Sequence, residues 1–408
     1  MFLRNAPLPL LSLAGLALFL CVEPPSARGQ TFPSSNDTVP SMWTGPVFKL
    51  RQDYPKAKPA VGPKPWKSFN FKTQPVQYLQ SVLSYCEEGN VNVDWQLEKN
   101  TVRNWYHAPW LHTTANGREF VHGLTGERSS RPHELDPGQT GSFANWAVGF
   151  YNAPGGYVIG RVWKDPNSPN PAVVSFPDGT VTCKLLFTTA PVAQVPYLKN
   201  SFEWQANAST TSGGPRSIQT VRLLQVDVAV RDSRANSTTG WVFGTFVYDG
   251  NAAGATPWDR LVPVGLMWGN DPTVTEAEKT STTHLTQTFI NPAVGPPQHL
   301  GRAGRLNGPV DNPKSSCLSC HSTAQVEARS NVLPDANDVM RWFRNIKATE
   351  AFDPGPGQHS LGYSLQLALG IERFQTAHPV HPSALAPGAA VSPKKTKPIN
   401  RGDEDDNN

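Results

Sequence analysis

Charged residues, cysteine and long apolar runs are all scarce in this sequence. Only 17% of the 408 residues are charged, and the formal net charge is +4. Because the basic residues also do not gather in one stripe, nucleic acid and anionic membrane surfaces are not expected partners. No apolar run approaches the roughly 20 residues that a membrane-spanning helix needs. The sequence therefore predicts no nucleic-acid partner and no integral membrane span.

Residues 1–29 have the features of an export signal peptide. Arg4 gives the positive start, Leu8 to Leu20 forms a short apolar core, and Ala27 and Gly29 are the small residues of a cleavage site. A lipoprotein signal ending at Cys21 is disfavoured, since a bulky leucine precedes this cysteine. We expect a mature chain that begins near residue 30 and is periplasmic or otherwise exported.

Composition and periodicity predict a mainly β fold. The chain has 39 Pro, 33 Gly and 12 Trp, which favours turns, strands and aromatic packing over long surface helices. Alternating apolar residues flanked by turn residues predict antiparallel strands, with a tight turn at 153–156 joining the first two. The predicted strands are 146–151, 157–163, 173–176, 181–187, 224–230 and 241–248, with a turn at 177–179 between the third and the fourth. We expect an antiparallel sandwich or barrel-like domain.

The pattern changes along the chain and suggests five segments. Helical spacing of apolar residues at 337–346 and 360–374 predicts short helices in the carboxyl-terminal part. The tail is poor in bulky apolar residues and rich in Pro, Lys and Asp, which is typical of disorder. The predicted segments are the signal peptide 1–29, a Pro-rich extended arm 30–65, an antiparallel β domain 66–312, a helical haem-attachment segment 313–378 and a disordered tail 379–408.

Two of the few cysteines lie close together in the sequence, and a histidine follows the second one directly. The sequence has five cysteines, Cys21 being in the signal peptide, and Cys317-x-x-Cys320-His321 is the attachment signature of a c-type haem. In a helical turn, thiols three positions apart can each bond one vinyl group of a porphyrin, and the histidine then lies under the iron. We predict one covalently attached haem c, with His321 as axial iron ligand and Ser316 capping the short helix.

Other uses of these thiols remain open. Cys317 and Cys320 could form a disulfide, or pair with Cys86 and Cys183, in an exported protein. A thioredoxin-like pair would need a βαβ context, and a zinc site would need a second pair of ligands; neither is found nearby. With haem attached, Cys86 and Cys183 are left as a disulfide or as two buried thiols.

The sixth iron ligand decides how such a haem is used. Met267 is the candidate ligand among the mature methionines, although a core methionine at the end of a strand is the favoured interpretation. The aromatic loop with His107 and His112 could cap a haem face, and arginines could pair with haem propionates. These arginines are Arg118, Arg128 and Arg131.

The chain also resembles a known family in part. It resembles the β-sheet mono-haem cytochromes, which comprise the hydroxylamine-oxidising cytochromes and the beta-type cytochromes c prime. The resemblance rests on the hairpin at 176–181 with Lys184 on its second strand, on the strand at 241–243 and on the late Cys317-x-x-Cys320-His321. The resemblance implies a β-fold with a five-coordinate haem bound by His321. Some members carry a lysine linked to the porphyrin, and Lys184 is the position that fits, although an ordinary strand lysine is favoured here. The chain is far larger than that family, and its amino-terminal part has no counterpart.

The sequence therefore predicts an exported mono-haem c-type cytochrome that transfers single electrons with a redox partner protein or a small-molecule donor or acceptor. The alternative is a haem enzyme or sensor with an open distal site for hydroxylamine, nitric oxide or peroxide. A second alternative is an exported β protein with a disulfide and no cofactor. The sequence does not decide whether the protein is an enzyme.

Overall fold

The structure is a computed structural model that describes residues 32–60, 62–114, 116–211, 213–275, 285–294, 299–329 and 331–379. The predicted signal peptide and all but the first residue of the predicted tail lie outside the described residues. Among the described residues no helix is both long and apolar enough to cross a membrane.

An antiparallel sheet of nine strands dominates the described part of the chain. Its main path runs β1-β3-β4-β6-β7-β8-β9, with β2 paired to β3 and β5 paired to β6. The predicted class, mainly β and antiparallel with short helices, is confirmed. The strands are β1 (Trp105–Tyr106), β2 (Thr125–Gly126), β3 (Asn145–Asn152), β4 (Val181–Thr188), β5 (Glu203–Ala208), β6 (Ser217–Arg231), β7 (Trp241–Tyr248), β8 (Leu261–Met267) and β9 (Thr288–Ile290).

A second, two-stranded sheet and several short helices complete the described fold. The small sheet pairs β10 (Gln325–Val326) with β11 (His359–Ser360). The α-helices are α1 (Pro75–Glu87), α2 (Ala153–Val162), α3 (Cys317–His321) and α4 (Leu365–Ala377). The 3₁₀ helices are Pro65–Ser68, Val91–Val93, Leu97–Lys99, Pro171–Val173, Pro196–Leu198, Ser233–Ala235, Trp258–Arg260, Arg302–Gly304 and Val339–Phe343.

Both faces of the large sheet are covered, because successive side chains of a strand point to opposite faces. On one face, Val226, Val228 and Val230 of β6 belong to the same apolar cluster as the buried residues of α1. Gly244 lets α1 approach closely, since a Cβ at this position would overlap Leu79. The other face carries Ala229 and Phe243 and belongs to a cluster that includes residues of α2, α3 and α4. The candidate site lies on this second face.

Three sequence predictions of local structure are wrong. Residues 173–176 do not form a strand, because residue 173 ends the 3₁₀ helix Pro171–Val173 and residues 174–176 are irregular. Residues 157–163 do not form a strand, because α2 begins directly after β3: Asn152 caps it by accepting a hydrogen bond from the Gly155 amide, and Pro154 occupies the first turn. The helix predicted at 337–346 is a single 3₁₀ segment, Val339–Phe343. The helix predicted at 360–374 is present as α4, shifted toward the carboxyl terminus.

Candidate functional site

The two cysteines and the histidine of the sequence motif form one short helix. Ser316 caps α3 through a reciprocal pair of hydrogen bonds: its hydroxyl accepts from the Ser319 amide at 3.2 Å, and the Ser319 hydroxyl accepts from the Ser316 amide at 2.7 Å. The predicted cap is confirmed. Leu318, fully buried in the apolar cluster, anchors the helix from its other side. Positions three apart are neighbours on a helix, so Cys317 and Cys320 share a face.

This face opens onto a cavity of the described structure. Cys317, Cys320 and His321 all line it. The volume within the cavity that the centre of a water molecule can occupy is about 200 Å³. One water needs only about 10–15 Å³ of such space. The cavity is therefore large enough for an organic group, and the three motif side chains meet at its wall.

The two thiols are neutral and unpaired with each other. Both are free thiols in the structure. Burial raises the pKa of the Cys317 thiol well above its usual value, helped by the charges of Asp311 and Asp227, and burial raises the pKa of Cys320 to about 12. A thiol-exchange pair needs a thiolate near neutral pH. The pair is thus poorly suited to thioredoxin-like chemistry.

His321 is oriented by a backbone carbonyl. Its Nδ1 lies 2.8 Å from the carbonyl oxygen of Tyr363. A carbonyl only accepts hydrogen bonds, so Nδ1 carries the proton when this bond is made, and Nε2 is then the nitrogen with the lone pair. Metal-bound histidines are usually held in this way by an acceptor on the other ring nitrogen. The Phe243 ring, with its centroid 4.8 Å from that of His321, packs beside the imidazole.

The turn that carries the Tyr363 carbonyl is itself fixed beside α3. Gly362 and Tyr363 have φ angles of 58° and 69°, in the left-handed region. The Leu361 amide donates to the Ala324 carbonyl at 2.9 Å, and the Tyr363 hydroxyl donates to the Ile346 carbonyl. These contacts set the position of the carbonyl that orients His321.

The sheet forms a wall of the cavity with an apolar and a polar row. Strand register places Tyr151, Thr182, Ala229 and Phe243 in one row across β3, β4, β6 and β7. Two residues along each strand, a parallel row consists of Gly149, Lys184, Asp227 and Thr245. All eight residues line the cavity. The Thr245 hydroxyl lies 3.9 Å from the Cys317 sulfur, so the polar row ends at the motif.

Two buried polar atoms of residues on the cavity wall have no partner among the described residues. They are the indole Nε1 of Trp241 and the Oε1 of Gln366. The Gln366 amide lies over Gly149, where a Cβ would overlap it. Since buried polar groups are normally satisfied, a group bound in the cavity that has polar atoms as well as apolar surface could supply their partners. Porphyrin, with its apolar ring and its carboxylates, has this character.

The other residues singled out from the sequence lie in different places. Lys184 lines the cavity, with its Nζ 3.1 Å from Glu127 Oε1. Arg128 also lines it and pairs with Glu134 at 2.8 Å. Met267 is fully buried in the apolar cluster and is not among the residues that line the cavity. Its assignment as the sixth iron ligand stays a prediction.

The remaining arginine and histidine candidates do not line the cavity. Arg118 is buried and donates to the carbonyls of Ala108 and Gly123, at 2.9 and 3.2 Å. His107 Nδ1 accepts from the Arg51 amide at 3.0 Å, and burial lowers the pKa of this histidine well below its usual value. These side chains hold the loop together.

Sequence reasoning missed the polar side chains of the cavity wall. Asp227 and Asp311 line the cavity, and Gln225 bridges them. A signal existed for Asp227, which is a charged residue inside the apolar alternation of β6. Asp311 gave none, since it comes from a loop that only the fold brings to β6.

No protein-family model, curated protein or solved structure matches this chain.

Proposed function

We propose that the chain is an exported mono-haem c-type cytochrome that transfers single electrons. Cys317 and Cys320 would hold the porphyrin through thioether bonds, and His321 would bind the iron through Nε2. Haem supplies a one-electron redox centre, whose potential depends on its axial ligands, hydrogen bonds and burial. The observation that carries this proposal is that all three motif side chains face one cavity, with the histidine already oriented by the Tyr363 carbonyl.

The chain's own residues account for several requirements of that role. Both thiols line the cavity, where the vinyl groups of a porphyrin could reach them. The apolar row with Phe243 excludes water from one side of the imidazole. Low solvent access stabilises the less charged state of a redox centre and limits reorganisation, which suits electron transfer. The partner would be a redox protein or a small-molecule electron donor or acceptor.

A second candidate function is supported by the polar row. A haem enzyme or sensor that acts on a small nitrogen or oxygen species needs polar groups that can bind a ligand near the iron. Lys184, Asp227 and Thr245 supply such groups in the same cavity as the motif.

Ligand binding to the loaded protein separates the two functions. The protein is produced in a periplasm with haem-maturation machinery, and its absorption spectrum is recorded with and without nitric oxide or carbon monoxide. A six-coordinate low-spin spectrum that does not change when either gas is added supports the electron carrier. A high-spin spectrum that changes rapidly with either gas contradicts the simple carrier and supports the open site.

Replacement of the histidine tests the iron ligand itself. We expect His321→Ala to change the iron spectrum of the attached haem, because Nε2 is removed. His107→Ala is the matched control, since His107 does not line the cavity. An unchanged spectrum in His321→Ala would refute the axial role.

A further inference from the structure

Two carboxyl groups of the cavity wall are joined by one amide. Gln225 Nε2 donates to the Asp227 oxygens at 2.8 and 2.9 Å and to Asp311 Oδ2 at 3.2 Å. Gln225 is fully buried, and its Oε1 accepts from the Val310 amide at 3.1 Å, which fixes the orientation of the bridging amide. The two carboxyls are therefore held on either side of a single donor group.

Lys184 offsets the negative charge of this pair only in part. The Thr245 hydroxyl donates to Asp227 at 2.9 Å and the Gly308 amide donates to Asp311 at 2.8 Å, and both donors are uncharged. The ammonium of Lys184 has its ion pair with Glu127. The other titratable groups on the wall include Arg128, Arg373, Tyr151, Tyr363, the two motif thiols and His321, and Arg128 pairs with Glu134. Two carboxylates that share a buried site repel each other, which favours retention of a proton by one of them.

Two other residues on the wall of this cavity each have a buried polar atom without a hydrogen-bond partner among the described residues. Trp241, only 2% exposed, lines this cavity and has an indole Nε1 without a partner among the described residues. The Oε1 of Gln366 is likewise buried and without a partner there. Thr245 connects the carboxyl pair to the motif, because its hydroxyl contacts both Asp227 and the Cys317 sulfur.

We propose that Asp227 and Asp311, on either side of the Gln225 amide, together retain one exchangeable proton and form the acid–base pair of this cavity. The pair would give a proton to, or take one from, a small molecule that reaches the cavity, a role beyond single-electron transfer. Burial raises the pKa of both carboxyls, the charge of Asp311 raises the pKa of Asp227 further, and Lys184 opposes both shifts. The proton belongs to the chain's own residues, so the proposal stands or falls separately from haem attachment.

Infrared spectroscopy of the purified mature protein tests whether the pair retains a proton. The carbonyl band of a protonated carboxylic acid is followed against pH in the wild type, Asp227→Asn and Asp311→Asn, with and without haem. We expect a wild-type component that titrates well above the value of about 3.9 for an ordinary aspartate. Either Asn substitution should remove this component, because the remaining carboxyl then ionises as a single group. The component should shift rapidly in D₂O, since the pair opens onto the cavity.

Glu87→Gln is the matched control. Glu87 is a buried carboxyl on α1 whose pKa burial raises to about 7, and it does not line the cavity. Its substitution should remove a different component and leave the cavity component in place. A cavity component that survives both Asn substitutions, or is absent from the wild type, would overturn the proposal. If an Asn variant does not fold, Thr245→Val decides: loss of a donor to ionised Asp227 should raise the titration midpoint, and an unchanged midpoint overturns the proposal.

Discussion

Substitution of Met267 separates packing from iron ligation at this position. Met267 is fully buried at the end of β8, where it is paired across the sheet with Phe243 on one side and Thr288 on the other. Phe243 in turn contacts His321. Met267 thus supports the wall against which the imidazole packs. We expect its role to be packing.

The size of the effect follows from its burial. Truncation of a fully buried methionine to alanine removes apolar contacts and leaves a cavity, which costs about 2–5 kcal/mol of unfolding free energy. Replacement by leucine nearly conserves the volume and typically costs less than about 1.5 kcal/mol. Leucine cannot bind iron, so Met267→Leu removes a ligand while it retains most of the packing.

Urea unfolding and the absorption spectrum of the loaded protein are measured for both variants. If Met267 is a packing residue, Met267→Ala lowers the unfolding free energy by the amount above, and Met267→Leu leaves the iron spectrum unchanged. Met340→Leu is the matched control, since Met340 is only half-buried and lies outside the residues of the cavity wall. A changed iron spectrum in Met267→Leu, with stability close to the wild type, would refute the packing role and establish ligation.

The capping box, the second thiol pair and the strand lysine give three further predictions. Ser316→Ala should destabilise α3 by about 1 kcal/mol, the usual cost of losing a cap. It should also lower the yield of haem attachment, and an unchanged yield would contradict a role of the cap in presenting the thiols. Cys86 and Cys183 are both buried, and their thiols are in hydrogen-bond contact. We therefore expect a disulfide between them in exported protein. If both thiols can be alkylated after unfolding without reductant, they are free and the prediction is wrong. Peptide mass spectrometry should find Lys184 unmodified, as expected of a lysine paired with Glu127, and a haem-linked peptide at this position would contradict that expectation.

The regular part of the fold was predictable because its signal is local. Residues 241–248 are mostly β-branched and aromatic and are followed by turn residues, and β7 has these bounds. The helix α2 was missed because its first turn, with Pro154 and two glycines, has the composition of a hairpin turn. The deciding contact is the cap from Asn152, and capping is hard to distinguish from a turn when the following apolar residues fit both periods. The pairing order of the strands depends on contacts far apart in sequence and could not be derived from any one segment.

The candidate site was predictable only as far as its covalent signature. The spacing of Cys317, Cys320 and His321 is local, and so is the cap by Ser316. The Tyr363 carbonyl lies 42 residues from His321 in sequence, and Asp311 is 86 residues from Gln225. Such partners are brought together by the fold, so the orientation of the histidine and the carboxyl pair could not be deduced from composition or spacing.

The mass of the denatured protein tests covalent haem attachment most directly. The mature chain is produced in a periplasm with and without haem-maturation machinery, together with a Cys317→Ala/Cys320→Ala variant and a matched Cys86→Ala/Cys183→Ala variant. We predict that the wild type and the matched variant gain the mass of one haem only when the machinery is present, and that the motif variant does not. An unmodified wild-type mass, while a known c-type cytochrome matures in the same cells, would contradict the account.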